Sequence, residues 1–137
     1  MDMDDRIAAE ALALIGVPFR LHGRSPLTGL DCVGLAALAV RRAGGRIGAL
    51  PDYRLRGTSV ERVGRALRAA GFAPVETAAP GTLLVARSGP MQLHLMIAAR
   101  GGAVHADAGL GRVVLMPVPS PWPVLGQWRL IPSSMQD

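Results

Sequence analysis

The feature that most restricts the fold is a change of hydrophobic period near Thr82. Before it, apolar residues recur three and four apart, as on one face of a helix. After it they fall into short runs broken by glycine and proline, as in strands. In the first half, Asp4 or Asp5 can cap a helix with the stripe Ile7, Ala11, Leu14 and Ile15, stopped by Gly16. The segment VPFRLHGRSPLTGL then reads as a loop. A second helix is predicted from Cys32 to Ala43, with Asp31 as N-cap and Gly44 as the left-handed stop. It is apolar nearly all round, so it should be buried on several sides. A turn-rich stretch from Gly45 to Gly57 leads to a third helix capped by Thr58 or Ser59. Its inner face is Val60, Val63, Leu67 and Ala70, and Gly71 closes it.

The second half predicts strands at 82–86, 94–99, 103–107, 112–117 and 127–131. The turn Arg100-Gly101-Gly102 should join the second and third as a hairpin. Prolines 117, 119, 121 and 123 mark a rigid connection before the last strand, and a short polar tail, SSMQD, ends the chain. Helices first and about five antiparallel strands second means an α+β fold. At 137 residues the chain is expected to be a single domain, 1–137.

Charge and apolar runs narrow the function. The fifteen basic residues are all arginine and give a net charge of +5. They are scattered, with only Arg41 and Arg42 adjacent, so no nucleic-acid stripe is expected. No apolar run approaches the ~20 residues of a membrane span. Acids rather than a basic segment precede the first apolar run, which predicts a chain made in the cytoplasm without a signal peptide. If it acts outside the cell, something else must deliver it.

Cys32 is the only cysteine, so no internal disulfide is possible. With Asp31 as N-cap, Cys32 is the first residue of its helix, where unpaired N–H groups carry positive potential. A thiol there is easier to ionise, and its own N–H could hold an oxyanion. The plainer alternative is a small core residue among alanines and leucines. The three histidines are His22, His94 and His105. One cysteine at a helix start with a downstream histidine is a nucleophile–base pattern, and a third polar group would orient the ring. Pairing counted from the turn sets His105 opposite Ala98, which puts the two strand histidines ~13 Å apart along a flat hairpin. A bulge, a strong twist or another strand neighbour would be needed to bring them together. The histidines, Cys32 and Asp107 could also supply metal ligands, but no HxxxH or CxxC spacing is present, so neither a metal nor another cofactor is expected. The segment WPVLGQW has two readings: a sugar-stacking platform, or Trp128 in the core with Trp122 against the proline-rich turn.

The cysteine segment GVPFRLHGRSPLTGLDCVGLAALAVRRAG resembles that of NlpC-type cell-wall peptidases, whose pattern ends in Gly-x-Asp-Cys-Ser-Gly opening a helix. PGTLLVARSGPMQLHLMIAARGGAVHADAGLGRVV resembles that family's Pro-Gly-Asp strand, its histidine strand and the strand after it. The likeness runs from about Asp4 to Ile131. It implies a papain-like α+β fold, with Cys32 as nucleophile, His94 as base and His105 as the third residue. It implies substrate contacts at Phe19, His22 and Asp31, no cofactor, and hydrolysis of amide bonds in peptidoglycan stem peptides. The shortness and the missing leader point to the phage-like branch, with tail proteins as partners.

The chain departs from the pattern. Phe19 stands where the family has a tyrosine that contacts substrate, and phenylalanine donates no hydrogen bond; His22 could replace it. Thr82 stands for the aspartate of Pro-Gly-Asp, Leu93 for a serine and Met96 for a glycine, and these larger residues should narrow the cleft. Two other readings therefore stand beside the hydrolase. One is a non-catalytic tail or assembly part of the same fold. The other is an acyltransferase or thioesterase using the same cysteine and histidine.

Overall fold

The computed structural model describes residues 1–50 and 55–131. Part of the predicted turn-rich stretch, 51–54, and the polar tail lie outside the described residues.

Three helices come first: α1 (Met3–Ala13), α2 (Cys32–Arg42) and α3 (Val60–Ala70). Between α1 and α2 lies a minimal hairpin, β1 (Arg24–Ser25) and β2 (Gly29–Leu30). The strands β3 (Phe72–Pro74), β4 (Leu83–Gly89), β5 (Gln92–Ala99), β6 (Gly102–Asp107), β7 (Arg112–Pro117) and β8 (Val124–Leu130) follow. They form one antiparallel sheet of six strands in the order β3-β8-β4-β5-β6-β7. The α+β prediction holds. The strand count of about five becomes six because β3, three residues following Gly71, pairs with β8 at the sheet edge. Pro74, its last residue, suits an edge, where a missing N–H breaks no ladder.

Local chemistry explains the helix ends. Asp2, not Asp4 or Asp5, caps α1, because Asp2 and Asp5 accept each other's backbone N–H in a reciprocal capping box. Asp31 caps α2 as predicted, accepting the Gly34 N–H at 2.8 Å. Ser59 caps α3, and Gly71 ends it with φ 110°.

Strand side chains alternate between two layers. Leu83, Val85, Leu93, Leu95, Ile97 and Val104 face the main core, which the helices cover with Ile7, Leu35, Val40 and Leu67 among others. Leu84, Ala86, Met96, Ala98 and Ala103 form a smaller cluster, with Met116 and Trp122 packed against it. Trp128 is buried in the main core, as one of its two sequence readings had it.

The β5–β6 hairpin corrects the predicted register. Ala99 pairs with Gly102, Ala98 with Ala103 and Ile97 with Val104, so the turn is Arg100-Gly101 alone. This slides β6 by two residues relative to the expected pairing. His105 then falls level with Met96, not Ala98, and the strands part beyond the Ile97–Val104 pair. The flat-hairpin separation of the two histidines does not occur.

Candidate active site

Cys32 is the first residue of α2 and lies half-buried at the wall of a cleft of about 590 Å³. Its position depends on how the preceding loop crosses the helix start. Asp31, nearly buried, accepts hydrogen bonds from the Gly34 N–H, from the His22 N–H at 2.9 Å and from Arg24 Nη1 at 2.7 Å. The same Arg24 nitrogen donates to the Gly23 carbonyl. The loop backbone is thereby drawn onto the first turn of α2. At Gly34 a Cβ would run into the carbonyl oxygen of Gly23, so the glycine two residues after the cysteine is a packing requirement.

The sulfur sits in opposing fields. Backbone N–H groups of Leu95, Val33 and Cys32 itself favour the thiolate, as the helix start predicts. Burial outweighs them, and the Asp31 carboxylate acts in the same direction, so the thiol is pushed up to about 11. The expectation of an easily ionised thiol is thus reversed: the N–H groups have the predicted sign, but desolvation is larger.

The two strand histidines meet. His94 Nε2 lies 3.0 Å from His105 Nδ1, with the rings nearly perpendicular at 88°. The indole of Trp122, from the β7–β8 connection, stands edge-on to both, with centroids 5.5 Å from His94 and 5.3 Å from His105. Ser120 Oγ fixes this residue, accepting its N–H and donating to its carbonyl, each at 3.0 Å. His94 is pushed down to about 4, chiefly by burial and then by the neighbouring His105, while Asp107 acts the other way. His105, only 2% exposed, is also lowered by burial and opposed by Asp107. Thiol and imidazoles are therefore all neutral near pH 7.

Cys32, His94 and His105 line one cleft, together with Phe19, His22 and Asp31. Among the described residues no hydrogen bond joins Cys32 to His94. Phe19 is half-buried against the main core, and His22 is exposed with a left-handed backbone, φ 61°. Leu93 borders the cleft as expected, but Thr82 and Met96 do not. Thr82 is buried and accepts the Ala79 N–H, and Met96 is fully buried in the smaller cluster. Neither side chain forms part of the cleft wall. Among the described residues no group of three or more His, Cys, Asp or Glu side chains is placed to hold a metal ion. No helix of the described residues is long and apolar enough to cross a membrane.

Two residues that the sequence did not single out for this site belong to it. Trp122 was expected only on a turn or a sugar platform; its contact with both histidines comes from tertiary packing. Asp107, considered only as a metal ligand, holds Oδ2 3.8 Å from His105 Nε2. Its place two residues after His105, on the same face of a strand, was the available signal.

Neither protein-family models nor curated proteins match the sequence. Solved structures do. NlpC1 from Trichomonas vaginalis aligns with a TM-score of 0.70 and 21% identity over 93% of this chain and 44% of that one. The NlpC/p60 domain of the peptidoglycan hydrolase SagA aligns at 0.62 and 23% over 93% and 98%. RipD from Mycobacterium tuberculosis, described as a non-catalytic NlpC/p60 domain protein adapted to peptidoglycan binding, aligns at 0.58 and 19% over 96% and 98%. The chain spans less than half the length of NlpC1 and of its companion NlpC2. Three helices on a six-stranded antiparallel sheet, in an arrangement shared with these domains, make this an NlpC/p60 fold.

Proposed function

We propose that the chain is a cysteine hydrolase that cleaves amide bonds in peptidoglycan stem peptides. The observation that carries this reading is the placing of the helix-start cysteine and a hydrogen-bonded histidine pair on the walls of one cleft. The likeness to a domain of the peptidoglycan hydrolase SagA supports the substrate class.

The chemistry follows from the neutral ground state. His94 uses Nε2 toward His105, so Nδ1 is the nitrogen left for the thiol proton. As Cys32 Sγ attacks the amide carbonyl carbon, the S–H proton passes to His94. The carbonyl oxygen becomes an oxyanion that the Cys32 N–H at the helix start stabilises. The C–N bond breaks as His94 returns the proton to the leaving amine, leaving a thioester. Water, deprotonated by His94, then releases the acid and restores the thiol. Because thiolate is scarce before substrate arrives, proton transfer accompanies attack. Phe19, His22 and Asp31 border the same space, and we assign Phe19 and His22 to substrate contact. Asp31 acts through the helix cap instead, since its oxygens are taken by Gly34, His22 and Arg24. The sequence resemblance extends the reading to a tail-associated enzyme of the phage-like branch.

Purified muropeptides incubated with wild type and with Cys32→Ala test this. Cleavage by wild type alone is expected, and equal activity in both would remove Cys32 from the mechanism.

A second reading is a peptidoglycan-binding domain without turnover. It is favoured by the protonated thiol and the missing Cys32–His94 hydrogen bond, and RipD gives it a structural parallel. Retention of muropeptides by both proteins with cleavage by neither would select it.

A further inference from the structure

The ring nitrogens of His94 and His105 leave one question open: in which direction does their shared hydrogen bond run? A neutral imidazole carries one N–H and one lone pair. If His105 bears its proton on Nε2, its Nδ1 accepts, His94 donates from Nε2, and His94 Nδ1 holds a lone pair. If His105 bears its proton on Nδ1, the bond reverses. His94 then carries its proton on Nδ1 and cannot take one from a thiol.

We propose that Asp107 is the positioning residue that fixes this direction and so decides that His94 Nδ1 is the basic nitrogen. The inference rests on the assignment of Cys32 and His94 proposed above. Three observations carry it. Asp107 Oδ2 lies 3.8 Å from His105 Nε2, on the side of the ring opposite His94. That spacing is too long for a closed hydrogen bond, but a carboxylate there attracts an N–H and repels a lone pair. His105 is 2% exposed, so bulk water does little to offset that preference. Finally, the carboxylate is held in place. Its Oδ1 accepts the Leu110 N–H at 2.9 Å, and the Asp107 carbonyl accepts the Gly111 N–H at 2.8 Å. The turn between β6 and β7 thus aims Oδ2 at the ring. When His94 becomes protonated during attack, the same carboxylate stabilises the positive charge through His105.

Asp107→Asn separates this role from a structural one. The amide oxygen continues to accept the Leu110 N–H, because reversing the amide would set its NH₂ against that donor. Its NH₂ then faces His105 Nε2, presenting a donor where wild type presents an acceptor. Imidazole ¹⁵N shifts of the uncomplexed protein at neutral pH read the tautomers directly, without substrate. We expect Nε2–H on both His94 and His105 in wild type, and Nδ1–H on both in Asp107→Asn. On muropeptides, kcat should fall roughly ten- to a hundredfold with little change in KM, as for loss of a group that orients a reacting residue. His105 protonated on Nδ1 in wild type would overturn the proposal, with no variant needed. So would an Asp107→Asn protein that keeps the wild-type tautomers. Wild-type tautomers as expected in a protein that cleaves no muropeptide would instead sink the hydrolase reading and leave the assignment of Asp107 standing.

Discussion

The raised Cys32 thiol gives a sharp test of how the site is balanced. In the folded protein the thiol is held near 11, against 9.0 for the ordinary group. Thiolate reacts and thiol does not, so the rate of iodoacetamide alkylation follows the thiolate fraction. At pH 8 that fraction is about a tenth for the ordinary group and about a thousandth for Cys32, a ratio of about one hundred. A more basic thiolate is a better nucleophile, and a Brønsted coefficient of about 0.4–0.5 returns almost a factor of ten. Folded protein should therefore alkylate roughly ten- to twentyfold more slowly than the same chain in denaturant. The logarithm of its rate should climb with unit slope from about pH 7 to 10 without levelling, whereas the denatured chain levels near its ordinary pKa. The same shift acts on folding. A group whose pKa is raised on folding stabilises fully below its unfolded value, so this contribution is present below pH 9 and is lost as pH rises toward about 11. A plateau below about pH 8.5 in the folded protein would mean that the helix-start N–H groups outweigh burial, and would refute the electrostatic account of the site.

Two further outcomes follow from the same geometry. His94 is held near 4 rather than 6.5, so the unfolded chain takes up its proton first as the solution is acidified. Stability that is complete above pH 6.5 is then lost as pH falls toward 4, by about 3 kcal/mol for this ring. Across that range the wild-type denaturant midpoint should fall relative to that of His94→Gln as pH drops, and parallel curves would contradict it. Gly34→Ala drives a Cβ into the Gly23 carbonyl oxygen, a backbone atom tied down by Arg24, and should cost roughly 1–3 kcal/mol. An unchanged midpoint in urea would show that the loop yields.

Most of the architecture was legible because it rests on local chemistry. Asp31 and Ser59 are caps by residue type, and Gly71 stops α3 because only glycine adopts φ 110° without penalty. At the first cap three aspartates compete within four residues, and reciprocity between Asp2 and Asp5, which residue type does not reveal, decides between them. β3 is too short to carry a period, since it has only three residues. At the candidate site, Cys32, His94 and His105 stand out in the sequence as candidates, but the contact between the two histidines does not. It follows from a two-residue turn at Arg100-Gly101 and from strands that part beyond Ile97. Trp122 touches the histidines across a proline-rich connection whose path no periodicity encodes. The thiol illustrates the same division: the helix start is written in Asp31-Cys32, whereas desolvation depends on what the whole fold packs around the sulfur.

The strand order carries a consequence for synthesis. β8 is inserted between β3 and β4, so the edge strand β3 stays cut off from the rest of the sheet until β8 is made. While the chain is still on the ribosome, β4 to β7 can pair as a meander, but β3 has no neighbour to join and Trp128 is missing from beneath α3. Trp122 enters just ahead of that strand. The histidine pair therefore gains its aromatic wall and the sheet its closure in one late event, once β8 has been made.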